Sequence, residues 1–199
     1  MFLFDKVFYD KGLSFVSGVD EAGRGPLAGP VVAAAVILPK DIYIKDVNDS
    51  KKLSEKKRIF LFDIIKEKAT AYSIQVIDNY VIDEINILQA TFAAMKKAVE
   101  TLSVKPDMVL VDGNHKIPGI KINQTAIVSG DAKSACIACA SILAKVTRDN
   151  IMYEYAKQFP QYGFEKHKGY GTKAHIEKIK SFGPCAIHRK TFAPIKDII

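Results

Sequence analysis

The chain has 199 residues, of which 48% are hydrophobic and 26% charged, and its formal net charge is +7 at pH 7. This is the composition of an ordinary globular protein with one sizeable core, and the positive charge favours polyanionic partners such as nucleic acids. No apolar run is long enough to span a membrane, the N-terminus lacks a signal-peptide pattern, and three cysteines do not form an even disulfide framework. We therefore expect a cytoplasmic protein.

The first part of the chain predicts three strands and a helix. Residues 13–19 and 31–38 are apolar runs typical of strands, joined by a glycine-rich turn. Residues 53–70 predict a helix that Ser54 caps, with Ile59, Phe60, Ile64 and Ile65 as its apolar stripe. Residues 71–77 alternate as in a half-exposed strand, with Tyr72, Ile74 and Val76 on one face and Ser73 and Gln75 on the other.

The second part alternates helices and strands. Two helical segments are predicted at 81–86 and 87–102, a central strand at 108–111, and a further strand at 120–128. A long helix follows at 134–159, and the small residues in its first half indicate close contact with a sheet. This order of elements predicts an α/β fold with a mixed sheet.

Four acidic residues stand out by their positions. Asp20, Glu21 and Asp112 end apolar runs, and Asp131 follows Ser129-Gly130 at the start of the long helix. Carboxylates at strand tips and a helix start can converge, and oxygen ligands suit Mg²⁺ or Mn²⁺. Two such ions can hold both sides of a phosphodiester. Any one acid alone is better explained as a cap or a solvated turn, and Asp131 is well placed to cap the long helix.

The segment Gly23-Arg24-Gly25 directly follows the acidic pair. Glycine lets the main chain approach a ligand closely, so this turn next to two carboxylates predicts a metal site facing a phosphate-bearing substrate. Two basic segments could add phosphate contacts, at residues 49–58 and 162–175. Each could equally be a solvated helix face or an ordinary loop with a packed tyrosine.

The cysteines allow a different interpretation. Cys136 and Cys139 form a CxxC pair, and Cys185 and His188 a CxxH pair, which together match a Cys₃His zinc set. The first pair lies in an Ala- and Ile-rich helix, where cysteine behaves as a small buried hydrophobe, so we favour packing over zinc or redox chemistry.

Six segments together resemble the successive motifs of bacterial ribonuclease HII, in the same order. They are Gly18-Val-Asp-Glu-Ala-Gly-Arg-Gly-Pro26, Asp49-Ser-Lys-Lys-Leu53, Val111-Asp-Gly113, Gly130-Asp-Ala-Lys-Ser134, Ala140-Ser-Ile-Leu-Ala-Lys-Val-Thr-Arg-Asp149 and His167-Lys-Gly-Tyr-Gly-Thr172. The match runs from about Phe15 to residues 188–192, and its first and fifth segments are highly specific.

The resemblance implies a ribonuclease-H-like fold, with a mixed central sheet flanked by helices and a helical C-terminal part. Because the chain has no internal repeat and no clear linker, we expect one catalytic domain over residues 1–199, in which residues from about 160 onward complete the substrate cleft, and we expect a monomer. The implied reaction cuts the phosphodiester 5′ of a ribonucleotide in RNA–DNA hybrids or in ribonucleotide-containing duplex DNA, leaving a 3′-hydroxyl and a 5′-phosphate.

The resemblance also assigns site residues. Asp20, Glu21, Asp112 and Asp131 match the catalytic, metal-binding acids, and Gly23-Arg24-Gly25 matches the loop that senses the ribose 2′-hydroxyl. Tyr170 matches the tyrosine beside the ribose–deoxyribose junction, and Lys51 and Arg58 match phosphate-contacting residues less closely. The 2′-hydroxyl is the group that distinguishes RNA from DNA, so main-chain groups of a glycine-flanked turn suit that task.

Two alternatives remain open on the sequence. A related enzyme of the same fold, such as ribonuclease HIII or a transposase-like nuclease, shares the acids, but the HIII type carries an extra N-terminal domain for which we expect no room. A non-catalytic binder of RNA–DNA hybrids would use the basic face, yet it gains nothing from clustered carboxylates.

Overall fold

A computed structural model describes residues 1–198. Its main helices and strands are listed in chain order: α1 (Phe2–Tyr9), β1 (Val16–Ala22), β2 (Val31–Ile37), α2 (Glu55–Lys68), β3 (Ala71–Ile77), α3 (Asn79–Glu100), β4 (Met108–Asp112), β5 (Asn123–Ile127), α4 (Ala135–Gln158), α5 (Phe164–His167) and α6 (Lys173–Phe182). Short 3₁₀ turns occur at Ser50–Lys52, Gly130–Ala132 and Ile195–Asp197.

The five strands form one mixed sheet in the order β3-β2-β1-β4-β5. β1 pairs antiparallel with β2 and β2 with β3, whereas β1, β4 and β5 run parallel. Helices cover both faces: α2 and α4 pack on one apolar cluster and α3 on another. This is the α/β architecture with a mixed sheet that the sequence predicts, and it has the expected helical C-terminal part.

The contact between α4 and the sheet depends on small residues. A Cβ placed on Gly18 of β1 would lie 2.1 Å from the backbone carbon of Cys136, so only glycine permits this approach. Cys136 and Cys139 are buried in the same helix, as the packing interpretation predicts. Burial raises the pKa of both thiols, which keeps them protonated and poorly suited to metal binding.

Several boundaries differ from the prediction. β1 begins at Val16 and continues through Asp20 and Glu21, because both residues pair with β2 instead of following the strand. Asp131 does not cap the long helix; it lies in a separate 3₁₀ turn, and Ser134 caps α4 by accepting a hydrogen bond from the Ile137 amide. The two predicted helices before β4 form α3, which is interrupted at Asn86 by a non-helical residue.

The buried faces of α2 and β3 also differ from the prediction. Ser54 caps α2 as expected, but Ile59 and Phe60 are exposed, and Leu61 and Ile65 supply its buried face. In β3, Tyr72 and Val76 are exposed while Ser73 is buried, since it bonds Thr101 at the end of α3. Among residues 1–198, no helix is long and apolar enough to cross a membrane.

Candidate active site

The parallel strands bring the predicted acids together at one edge of the sheet. β1 and β4 pair through Val19 and Val111, so the next residues, Asp20 and Asp112, emerge side by side. β5 leads into the 3₁₀ turn that carries Asp131. Carboxylate oxygens of Asp20, Asp112 and Asp131 all lie within 4.8 Å of one another. Within the described residues, this is the one group of three or more His, Cys, Asp or Glu side chains that could hold a metal ion.

Glu21 approaches the same cavity from a different direction. Successive strand residues point to opposite faces of a sheet, so Glu21 does not join the three aspartates. Its Oε1 atom instead lies 3.2 Å from Nη1 of Arg24, at the rim of the cavity. The sequence predicts that four carboxylates converge, and the structure places them as a cluster of three with Glu21 beside it.

Burial and neighbouring carboxylates raise the pKa of Asp20, Glu21 and Asp131. Burial, followed by the charges of Glu21 and Asp112, raises the pKa of Asp20 well above its usual range. Burial also raises the pKa of Glu21 against the opposing effect of Arg24. Burial and the Asp112 charge raise the pKa of Asp131. Crowded carboxylates with only oxygen donors fit a hard divalent cation, because a bound cation offsets their repulsion.

Hydrogen bonds fix the orientation of Asp112. Its Oδ1 atom accepts from the Gly130 amide at 2.6 Å and from the Asp131 amide at 3.3 Å. The backbone of Asp131 is therefore hydrogen-bonded directly to the side chain of Asp112. This leaves Oδ2 of Asp112 outside these hydrogen bonds.

An open cavity of about 220 Å³ adjoins the acids and contains most of the other predicted residues. The predicted residues that line it are Gly23, Arg24, Gly25, Lys51 and Tyr170. Lys51 is 80% exposed, with its Nζ atom 3.6 Å from Oδ2 of Asp131. The carboxylates of Asp131 and Asp20 raise the pKa of Lys51, although partial burial opposes them.

Arg58 does not line this cavity. Its guanidinium donates to the carbonyl oxygens of Ser50 at 3.0 Å and Leu53 at 2.6 Å, and lies 4.0 Å from Asp149. Arg58 therefore holds the turn that presents Lys51 to the cavity.

The segment 162–175 contributes one exposed aromatic ring to the cavity. Tyr162 and Phe164 are buried in the C-terminal core, so the packed-loop interpretation is correct for them. Tyr170 is 45% exposed, and its ring faces Gly25, where an added Cβ would lie 3.6 Å from Cε1. The turn and the tyrosine thus line the same cavity from opposite ends of the chain.

Two buried arginines, which sequence reasoning did not assign, hold the glycine-rich turn. Arg148 donates to the carbonyls of Pro30, Ala28 and Lys168 at 3.0 Å each. Arg189 donates to the carbonyls of Gly29 at 3.0 Å and Arg24 at 2.9 Å, and also to Gly23. Because Lys168 lies two residues before Tyr170, Arg148 links the turn to the tyrosine segment.

Ser141 and Lys145 of α4 also line the cavity without having been predicted as site residues. Ser141 Oγ lies 2.9 Å from Ser50 Oγ, and Lys145 Nζ forms an ion pair of 2.8 Å with Asp149. Both belong to the segment 140–149 that carries the family resemblance, and their spacing of four places them on one helix face. That spacing is the signal by which they could have been found.

Known proteins resemble this chain along nearly its whole length. The family model described as ribonuclease HII matches residues 17–195. The chain belongs to the ribonuclease HII family. A ribonuclease HII of Endomicrobium trichonymphae is 65% identical over 199 residues, and the alignment covers all of this chain and 95% of the Endomicrobium protein.

Solved structures share the fold. Ribonuclease H2 from Pyrococcus horikoshii OT3 superposes with a TM-score of 0.78 and 27% identity, over 92% of this chain and 96% of that chain. Bst-RNase HIII in complex with Mn²⁺ gives a TM-score of 0.69 at 18% identity, over 92% and 68% of the two chains. The second likeness shows the fold alone.

The family assignment settles the enzyme class. The chain is a hydrolase, a nuclease of the ribonuclease H type that acts on RNA–DNA, and the family depends on divalent metal ions. The ribonuclease-H-like fold and the resemblance to bacterial ribonuclease HII are confirmed. The non-catalytic hybrid binder and the ribonuclease HIII or transposase-like alternatives are set aside.

Proposed function

We propose that the chain cuts the phosphodiester on the 5′ side of a ribonucleotide, in RNA–DNA hybrids and at single ribonucleotides embedded in duplex DNA. The products carry a 3′-hydroxyl and a 5′-phosphate. The observation that supports this proposal is the common cavity, which the carboxylates of Asp20 and Asp112 line together with the glycine turn and the exposed Tyr170, while Asp131 completes the carboxylate cluster beside it. We further propose that residues 1–199 act as one catalytic domain and as a monomer.

In this proposal the clustered Asp20, Asp112 and Asp131 hold Mg²⁺ or Mn²⁺, and Glu21 adds its carboxylate from beside the cluster. Such ions, when bound, activate a water and stabilise the leaving oxygen of a phosphodiester. The clustered aspartates supply the negative charge that binds them, and the Gly130 amide keeps Asp112 aimed at the cluster. Glu21 is held at the rim by Arg24, which also brings a positive charge to the position of the phosphate.

Ribonucleotide selection falls to the turn and the tyrosine. The carbonyls of residues 23, 24, 28, 29 and 30 are engaged by Arg148 and Arg189, so the turn is rigid before substrate arrives. A rigid main chain at this position can read a 2′-hydroxyl by hydrogen bonding. Tyr170 packs against the following sugar, where a deoxyribose leaves room for the ring.

Lys51 contacts a substrate phosphate in this proposal. Its exposed ammonium group lies at the cavity mouth and remains charged because of the nearby acids. Arg58 acts on phosphate only through Lys51 in this proposal, because it does not line the cavity and its Nη1 atom holds the carbonyls of Ser50 and Leu53.

The test is cleavage of a labelled duplex that contains one ribonucleotide, with Mg²⁺, with Mn²⁺ and with a chelator. We expect metal-dependent cutting immediately 5′ of the ribonucleotide. Asp112→Asn is expected to lose at least about a hundredfold in rate while still binding the duplex, because it keeps the shape but removes a metal ligand. Wild-type cutting by Asp112→Asn, or cutting on the 3′ side, would contradict the proposal.

A further inference from the structure

Two buried histidines lie directly beneath Tyr170 and form a continuous chain of hydrogen bonds. His175 Nδ1 lies 2.9 Å from the Tyr170 carbonyl oxygen, and His175 Nε2 lies 3.1 Å from His188 Nε2. His188 Nδ1 lies 2.8 Å from the backbone nitrogen of Cys185. Neither ring has any exposed surface.

The partners at the two ends determine which nitrogen carries each proton. An amide N–H can only donate, so His188 Nδ1 accepts from Cys185 and the His188 proton resides on Nε2. A carbonyl can only accept, so His175 Nδ1 carries the proton that it donates to Tyr170. His175 Nε2 then accepts from His188 Nε2, and every hydrogen bond in the chain points toward Tyr170. Both rings are therefore neutral, and each has one tautomer.

A third histidine fixes the other side of the same loop. The ring of His167 stacks on that of His175 with centroids 4.2 Å apart. The carbonyl of His167 accepts from the Tyr170 amide at 2.9 Å, and its Nδ1 accepts from the Gly169 amide at 3.2 Å. The backbone of Tyr170 is thus held at both its N–H and its C=O, while its side chain remains 45% exposed.

We propose that His175 and His188 are positioning residues that set the preference of the enzyme for a ribose–deoxyribose junction, by fixing the backbone of Tyr170. The proposal rests on the proposed role of Tyr170 at that junction. Apolar side chains could fill the same space in the C-terminal core, but they would supply no second donor to the Tyr170 carbonyl, which would then accept only from the Thr172 amide at 2.8 Å. The imidazoles line neither the cavity nor the carboxylate cluster, and the backbone of His188 pairs with Ala28, so the side-chain contact that reaches a cavity residue is the one from His175 to Tyr170.

The first measurement is the ratio of kcat/KM for two duplexes: one with a single ribonucleotide followed by DNA, and one with a continuous RNA strand on DNA. We expect His175→Leu to lower this ratio about two- to tenfold, the change that loss of one hydrogen bond produces. His175→Asn keeps an amide donor at the Nδ1 position and is expected to retain most of the ratio. Circular dichroism confirms that each variant is folded.

A double-mutant comparison separates positioning from ordinary packing. Tyr170→Ala is expected to lower the ratio, and His175→Leu in the Tyr170→Ala background is expected to lower it no further. A ratio that is unchanged in His175→Leu, or a further drop in the double mutant, would overturn the positioning role of His175 and leave the proposed role of Tyr170 intact. An unchanged ratio in Tyr170→Ala would overturn the role of Tyr170 and this inference with it.

The tautomers provide a test that needs no variant. Nitrogen NMR of the wild-type imidazoles is expected to show His175 protonated at Nδ1 and His188 protonated at Nε2, both neutral at pH 7. The opposite tautomer at His175 would remove the side-chain donor to the Tyr170 carbonyl and leave it only the Thr172 amide at 2.8 Å, and it would overturn the proposal even if His175→Leu failed to fold.

Discussion

At the scale of single residues, the clustered carboxylates of Asp20, Asp112 and Asp131 suit a metal ion but destabilise the fold when no ion is bound. Asp20 and Asp131 are each 5% exposed and lie within 4.8 Å of Asp112, so their negative charges repel one another in a partly dehydrated place. Burial and these neighbours raise the pKa of Asp20 and of Asp131, which means that ionisation destabilises the fold. Without a cation, the protein therefore carries an unfavourable energy at its proposed catalytic site.

Asp112→Asn is expected to stabilise the metal-free protein at pH 7 by about 1–3 kcal/mol, the scale of one charge repulsion at this distance. The amide oxygen can still accept from Gly130, so the local hydrogen bond survives. The measurement is urea unfolding in chelator, with Asp63→Asn, an exposed site on α2, as the control. Added Mg²⁺ or Mn²⁺ is expected to stabilise the wild type and not Asp112→Asn. A metal-free Asp112→Asn protein that is less stable than wild type would contradict this account.

The glycine turn matters at the scale of elements, because it joins three parts of the chain. Leu27 donates to the Gly169 carbonyl at 2.8 Å, and Gly29 donates to the Ile187 carbonyl at 2.8 Å. Arg148 of α4 donates to the carbonyl of Ala28 in the turn, and Arg189 of the C-terminal segment donates to the carbonyl of Gly29. The turn is therefore an ordered structure held from several sides, and its glycines are required by contact as well as by backbone angle.

Gly23→Ala is expected to destabilise the protein by at least about 2 kcal/mol more than Gly113→Ala. Both glycines have φ +100, so both variants carry the same backbone strain of about 1–2 kcal/mol. A Cβ at Gly23 would lie 2.1 Å from Arg148 Nε and displace its hydrogen bond to Pro30, whereas nothing lies within 4 Å at Gly113. Urea unfolding of the two variants measures the difference, and equal losses would show that Arg148 does not constrain the turn.

The sequence predicted this element in part, for a physical reason. Glycines and adjacent acids are visible as a local motif, and so were identified as a ligand-facing turn. Arg148 and Arg189 contact it from 118 to 166 residues away in the chain, and in sequence a buried arginine looks like a surface cation. Tyr162 and Phe164 were ambiguous for the same reason, because only the C-terminal core determines that they are buried.

At the scale of the whole molecule, the sequence predicted the mixed α/β fold and the five strands because β1, β2 and β4 are apolar runs, β3 alternates, and β5 lies within the predicted strand 120–128. Strand ends were less accurate: Asp20 and Glu21 continue β1 because β2 offers them backbone partners, a contact that a one-dimensional pattern does not contain. The exposure of β3 also depended on a distant contact, since the end of α3 buries Ser73. Local patterns therefore predicted which elements form, whereas the ends and buried faces of the strands depend on long-range contacts that local patterns do not contain.

Buried histidines in the C-terminal core make the stability of the whole fold depend on pH. Burial lowers the pKa of both His175 and His188 to about 4, against an ordinary value of 6.5. The titratable groups that face the pair are His167, stacked on His175, the Cys185 thiol, 3.1 Å from His188 Nδ1, and the phenol-bearing ring of Tyr162. None of them supplies a negative charge at neutral pH, so no nearby charge favours protonation of either ring, and only backbone hydrogen bonds oppose the effect of burial.

Between pH 6.5 and 4 the unfolded chain binds protons at these histidines and the folded chain does not. Their contribution to stability is therefore complete above about pH 6.5 and is lost as the pH falls toward 4, by roughly 2–3 kcal/mol for each histidine. The raised pKa of Asp20 and Asp131 acts in the opposite direction, so the histidine contribution is read as a difference between variants. His175→Asn is expected to flatten the decline in the free energy of unfolding between pH 6.5 and 4, whereas His115→Asn, at an exposed position, is expected to leave it unchanged. Urea unfolding at a series of pH values measures both profiles, and parallel curves for wild type and His175→Asn would show that the buried pair does not control acid stability.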